Sequence, residues 1–153
     1  MKYGEVTPEI IRELEGIAGP RNVIYDEERM QPYSHDETPA EQFSHMPGVV
    51  VKPINTQQIV KIVKLAVEHL IPVTPRGAGT GLSGGAIPIY GGILLSVEKM
   101  NKVIEIDYAN MMITVESGLL TNEINELVAD QGLFFAGYPM SLESCFVGGN
   151  IAE

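Results

Sequence analysis

The sequence predicts an α+β fold, in which a βαβ-containing first subdomain is followed by the start of an antiparallel second one. Three observations predict it. Two short apolar runs, Val49–Val51 and Ile71–Thr74, flank a stretch with helical periodicity, the grammar of a βαβ unit with parallel strands. A third apolar run, Gly92–Val97, follows the second across a glycine-rich loop that leaves no room for another helix. From Val103 the pattern changes to alternation around a short turn, as in an antiparallel hairpin.

At the start of the chain, Thr7 can cap a helix with Pro8 in its first turn, and Ile10, Ile11, Leu14 and Ile17 form one apolar stripe. Gly19-Pro20 stops it. Residues 21–47 read as irregular, with acids, three prolines and few periodic apolar positions. Val49–Val51 is a short buried strand that ends at Pro53. Asn55 or Thr56 caps the next helix, which runs to about Leu70 with Ile59, Ile62, Val63, Ala66 and Leu70 inward and Lys61, Lys64 and Glu68 outward. Residues 103–106 and 112–115 form the hairpin around Tyr108-Ala109-Asn110, and Met111 and Met112 read as core filler. Thr121 is expected to cap a helix with Ile124, Leu127 and Val128 inward, ended by Gly132, and Leu133–Phe135 reads as a further strand. The expected units are 1–48 as a lead-in, 49–100 as the first subdomain and 101–153 as the start of the second.

The chain has 153 residues, 44% of them hydrophobic and 20% charged, which suits a soluble domain with a buried core. Ten Lys and Arg against 20 Asp and Glu give a net charge of −10. That argues against nucleic acid, which is held by cations on phosphates, and against anionic membrane surfaces. No apolar run is long enough to span a bilayer, and the stretch MKYGEVTPEIIRELEG lacks a signal-peptide core. Cys145 is alone, which excludes an internal disulfide and suits a reducing cytoplasm, the expected location. His35, His45 and His69 lack metal-ligand spacing with one another or with Cys145, so no metal site is expected.

The most informative stretch is PRGAGTGLSGG, residues 75–85. Glycine permits close backbone approach, and successive free N–H groups make an anion site, so the loop is expected to hold a phosphate. Gly79 to Gly84 match G-x-G-x-x-G, and Glu98 imitates the acidic residue of a nicotinamide-dinucleotide fingerprint. The context refuses that reading, because no crossover helix fits between Gly84 and Ile93. A Walker loop fails too, for want of a Lys-Ser or Lys-Thr after the glycines. The donors would be the amides of 77–84 with the Thr80 and Ser83 hydroxyls, and Arg76 is the sole cation between Lys64 and Lys99.

Two segments carry a resemblance: VVVKPINTQQIVKIVKLAVEHLIPVTPRGAGTGLSGGAIPIYGGILLSVEKMNKVIEID and GLFFAGYPMSLESCFVGGNIAE. Together they resemble the PCMH-type FAD-binding domain of the FAD-linked oxidases, nearest to the glycolate oxidase and D-lactate dehydrogenase branch, from about Tyr33 onward. The resemblance implies FAD between two α+β subdomains. It implies that Arg76, Gly77, Ala78, Gly79, Thr80, Gly81, Ser83 and Gly84 cradle the pyrophosphate. It also implies contacts from a second loop through Pro139, Met140, Ser141, Ser144, Cys145, Gly148, Gly149, Asn150 and Ile151. Relatives that tether flavin often carry a His in the first loop; none is present here, so noncovalent FAD is expected.

The activity implied is oxidation of a 2-hydroxy acid, D-lactate or glycolate, to the 2-oxo acid, with electrons passed to an acceptor that could be a protein. In this family the base and the substrate-carboxylate residues lie in a C-terminal region, so no catalytic residue is assigned. The 153-residue chain alone is expected to be inactive and its second subdomain incomplete. Two alternatives remain open: a non-catalytic flavin or nucleotide-binding module, and a sugar-nucleotide flavin reductase of the same fold.

Overall fold

The computed structural model describes residues 3–137 and 139–152. The first sheet contains β1 (Val23–Ile24), β2 (Val49–Val51), β3 (Val73–Arg76) and β4 (Ile93–Ser96), in the spatial order β1-β2-β4-β3. Strands β2 and β3 both run parallel to β4, and β1 lies antiparallel on the outer edge of β2. The crossover from β2 to β3 is the helix α4 (Thr56–Glu68). The crossover from β3 to β4 is residues 77–92, which hold no helix. The glycine-rich loop therefore does the work that a helix usually does between parallel strands.

Strands β2 and β4 are buried on both faces, which explains their unbroken apolar sequences. On one face Val49, Val51, Ile93 and Leu95 pack with Ile62, Leu65 and Ala66 of α4 and with Ile10, Leu14 and Ala18 of α1 (Pro8–Ala18). On the other, Val50 and Leu94 meet Ile24 and Met30, with Tyr33 and Met46 at the margin. Capping follows the side-chain chemistry. The Thr7 hydroxyl accepts from Ile10 N–H at 3.4 Å, while Asn55, not Thr56, caps α4 by accepting from Gln58 N–H at 2.9 Å.

A second sheet is the hairpin of β5 (Val103–Asp107) and β6 (Met112–Val115). Asp107 braces its turn, accepting from Asn110 N–H at 3.0 Å and from Asn110 Nδ2 at 2.7 Å. A separate small core gathers Leu119, Ile124 of α5 (Thr121–Val128) and Val147 of α6 (Val147–Ala152), with Ile113, Val115 and Phe135 packed against it.

Several expectations are corrected. Residues 21–47 are not wholly irregular: they supply β1 and the short helices α2 (Glu27–Met30) and α3 (Ala40–Phe43). Elements this short show no period in sequence. In α4 the inner face is Ile62, Leu65 and Ala66, whereas Val63 is exposed, and Leu70 lies beyond the helix end, also exposed. The helix also carries Val60 and Val67, so two apolar stripes competed and only packing chose between them. Leu127 is likewise exposed, and the inner face of α5 is Thr121, Ile124 and Val128.

Thr121 is not a cap. Its hydroxyl is buried and engaged by Cys145 and Asn150, and Leu120 starts the helix from a bridge with Phe146. Leu133–Phe135 forms no strand: Leu133 N–H returns to Val128 O, and Phe135 N–H is taken by Asn125 Oδ1 at 2.8 Å. Met111 and Met112 are exposed at the hairpin turn instead of filling the core.

Candidate flavin cleft

The first glycine loop leaves the C-terminal end of edge strand β3, beside the end of its parallel neighbour β4. Ligands of parallel sheets commonly bind at such ends, where loops can close over them. The loop forms one wall of a cleft of about 740 Å³, within the ordinary range of roughly 300–1,000 Å³ for small-molecule sites. Facing it are the second loop and α6, in residues Pro139, Ser141, Phe146, Gly148, Gly149, Asn150 and Ala152, with Ser117 and Val97 between the walls.

The structure brings two distant sequence stretches together at two glycines. A Cβ placed on Gly77 would stand 3.9 Å from Gly149 N and 3.8 Å from the Phe146 side chain. Of the sequence-predicted residues, Arg76, Gly77, Ala78, Gly79, Thr80, Gly81, Ser83, Pro139, Ser141, Gly148, Gly149 and Asn150 line the cleft. Among the described residues, no acceptor takes the N–H groups of Ala78, Gly79, Thr80 and Gly81. Such a run of open donors suits an anionic group.

The other predicted residues are not on its wall. Gly84 N–H is spent on Asp36 Oδ2 at 2.9 Å, Met140 and Ile151 project into solvent, and the Ser144 hydroxyl turns back to Ser141 O. Cys145 is buried: Asn150 Nδ2 stands 3.3 Å from its Sγ and 2.6 Å from Thr121 Oγ1. This buried knot ties α6 to the start of α5. Gly148 also serves packing, since its N–H donates to Ser117 O at 2.9 Å and an added Cβ would lie 2.7 Å from Ser117 Cβ.

Arg76 occupies the floor. Its side chain is nearly buried, with Nη1 donating to His35 O at 2.7 Å and Nη2 to Pro32 O at 3.2 Å. Burial lowers its pKa despite the nearby charges of Asp36 and Glu98. Each terminal nitrogen donates to one carbonyl, which ties the guanidinium to the segment beneath the loop.

Asp36, Ser117 and Phe146 are cleft residues that sequence reasoning missed. Phe146 sits inside the second motif and could have been found by contiguity. Ser117 adjoins Gly118, whose close approach to the Val97 and Met100 carbonyls is a visible glycine constraint. Nothing local marks Asp36. Burial pushes its carboxyl up, but the Thr38 hydroxyl and the N–H groups of Thr38 and Gly84 outweigh that and hold it below the ordinary 3.8.

Beside the floor lies a polar cluster. Lys52 Nζ pairs with Glu98 Oε1 at 2.7 Å and stands 5.1 Å from the Tyr33 ring centroid. Glu98 Oε2 accepts from Tyr33 Oη at 3.0 Å and from Ser96 Oγ at 3.1 Å. Burial pushes the Glu98 carboxyl up, but Lys52 and the two hydroxyls outweigh it and hold the group below its ordinary 4.5. A depressed folded-state pKa contributes stability that is present above 4.5 and lost as pH falls through the folded value. Urea midpoints of the wild type should therefore drop more steeply below about pH 4.5 than those of Glu98→Gln. Superimposable acid limbs would show that Glu98 carries none of this dependence.

The chain belongs to the FAD binding domain family, whose pattern matches residues 47–153, and FAD is the cofactor of this domain. Its relatives are FAD-linked oxidoreductases. It is 37% identical over 148 residues to the glycolate oxidase subunit GlcD of Bacillus subtilis strain 168, covering 97% of this chain and 31% of the relative. It is 39% identical over 151 residues to a D-lactate dehydrogenase of Anaerostipes hadrus, covering 99% of this chain and again 31% of the relative. The chain thus spans about a third of the length of these proteins. In structure it matches p-cresol methylhydroxylase with a TM-score of 0.72 and 27% identity, covering 84% of this chain and 26% of that one. An alkyldihydroxyacetonephosphate synthase shares the fold with a TM-score of 0.84 at 21% identity, over 97% of this chain and 29% of that one. No helix among the described residues is long and apolar enough to cross a membrane.

Proposed function

We propose that this chain is the flavin-binding part of an enzyme that oxidises a 2-hydroxy acid, D-lactate or glycolate, to the 2-oxo acid. In this reading the FAD is noncovalent and its pyrophosphate lies against the amides of 78–81. The observation that carries it is the cleft itself: two small-residue loops, far apart in sequence, meet at Gly77 and Gly149 with open donors on one wall. When bound, the flavin supplies a two-electron acceptor for the alcohol carbon. The chain's own residues hold the nucleotide. The Thr80 and Ser141 hydroxyls lie on facing walls and can donate to phosphate or ribose, while Phe146 and Pro139 give apolar contact. The relatives' names support the substrate class. The electrons pass on to a second acceptor, and the single free cysteine fits a reducing cytoplasm.

Two measurements test this reading. Acid denaturation of the flavin-loaded protein followed by filtration should release all the flavin into the filtrate, and colour retained with the polypeptide would contradict noncovalent binding. Anaerobic D-lactate or glycolate should bleach the flavin absorbance of the complete protein. Flavin that binds but is bleached by no 2-hydroxy acid would reduce the reading to a binding module.

A further inference from the structure

The segment PYSHDET, residues 32–38, lies outside the family match of residues 47–153 and holds no element longer than a turn. It nevertheless grips the glycine loop at both ends. At the loop's start, Arg76 donates to His35 O and Pro32 O. Further along, Glu37 N–H donates to Gly81 O at 3.1 Å and Gly84 N–H to Asp36 Oδ2 at 2.9 Å. The second oxygen of Asp36 accepts from Thr38 N–H at 2.9 Å and Thr38 Oγ1 at 2.6 Å. One carboxylate therefore joins the loop to the turn that holds it.

An acid 4% exposed on the wall of an anion cleft is a liability, because it repels the phosphates. Its hydrogen bonds to the loop and to Thr38 give it a compensating role. The amides that remain without an acceptor, Ala78 to Gly81, lie between the two gripped ends. A donor set held in place before the ligand arrives needs no reorganisation on binding.

We infer that Asp36 is a positioning residue for the cofactor loop, holding residues 77–84 in the diphosphate-binding conformation through Gly84. The inference rests on the reading that this loop takes the FAD pyrophosphate. Riboflavin, which has no phosphate, separates this role from general structural support.

The test compares wild type, Asp36→Ala, Asp36→Asn and Thr38→Val. Amide exchange is followed by NMR with and without FAD, and affinities for FAD and riboflavin are read from flavin fluorescence. Asp36→Ala should speed Gly84 exchange and weaken FAD, each by about tenfold or more, the effect of losing a charge-assisted hydrogen bond. Riboflavin affinity and exchange in β2 should stay the same. Asp36→Asn keeps one acceptor oxygen and should fall between, which preserves the test if the alanine variant does not fold. Thr38→Val should give a smaller loss of the same kind. Equal weakening of FAD and riboflavin, or unchanged Gly84 exchange, would overturn the inference. Loop amides protected by FAD in the wild type, with FAD affinity unchanged in Asp36→Ala and Asp36→Asn, would overturn Asp36 alone. No protection of those amides by bound FAD would overturn the loop reading, and the role of Asp36 with it.

Discussion

Gly79→Val is expected to abolish flavin retention while leaving the protein folded. Gly79 has φ +79°, a conformation that costs a β-branched residue several times what it costs glycine. The added Cβ would also collide with the Arg76 guanidinium. Arg76 cannot simply step aside, because its nitrogens are committed to His35 O and Pro32 O in a nearly buried position. Relief must come from the loop, and the open amides on either side of Gly79 move with it. Losing two donors to a phosphate, at about 1.5–3 kcal/mol each, would weaken FAD by at least a hundredfold or so. Lys61→Gln, on the exposed side of α4, should bind as the wild type does. Flavin titration of both variants, with circular dichroism to verify folding, gives the comparison. Equal flavin occupancy in the two would show that the loop only turns a corner.

The second large effect concerns stability. Leu14→Ala is expected to cost about 2–5 kcal/mol, the range for emptying a fully buried leucine site. Leu14 is 0% exposed and sits in the core that joins α1 to α4 and the first sheet. Yet it precedes the residues matched by the family, 47–153. A loss of this size would make α1 part of the cooperative unit, not an appendage. In a domain of this length it should lower the melting temperature by roughly 4–20 °C, at about 2–4 °C per kcal/mol. Val67→Ala, at an exposed site of α4, should stay within about 0.5 kcal/mol. A Leu14→Ala midpoint equal to that of Val67→Ala would separate α1 from the folding unit.

The small core around Leu119, Ile124 and Val147 differs in kind from the first. Its hairpin has only two strands, and Ile104, Met111, Met112 and Phe134 are exposed around it. Two strands alone bury too little to be stable, so this region depends on what packs against it. Its buried polar knot of Thr121, Cys145 and Asn150 fixes one end of α6 all the same.

Where local chemistry is strong, the sequence was sufficient. Thr7, Pro8 and Gly19 bounded α1, the valine run 49–51 marked a strand buried on both faces, and the density of glycine in 75–85 marked the loop that lines the cleft. Each is a preference of the backbone or of side-chain shape that acts within a few residues. The refusal of a crossover helix was legible for the same reason, since chain length alone forbids it. Tertiary structure decided the rest. Val63 and Leu65 are equally apolar, and only the direction of the sheet buries one and exposes the other. Cys145 lies within a flavin motif but turns inward, because Thr121 and Asn150 meet it there. Arg76 was legible as the loop's lone cation, but its bonds to carbonyls 41 and 44 residues earlier were not. Asp36 was invisible, since its partner Gly84 is 48 residues away and no periodicity encodes such a pairing. Local rules reach about one turn of chain; the brace beneath the loop exists only once the chain has returned to it.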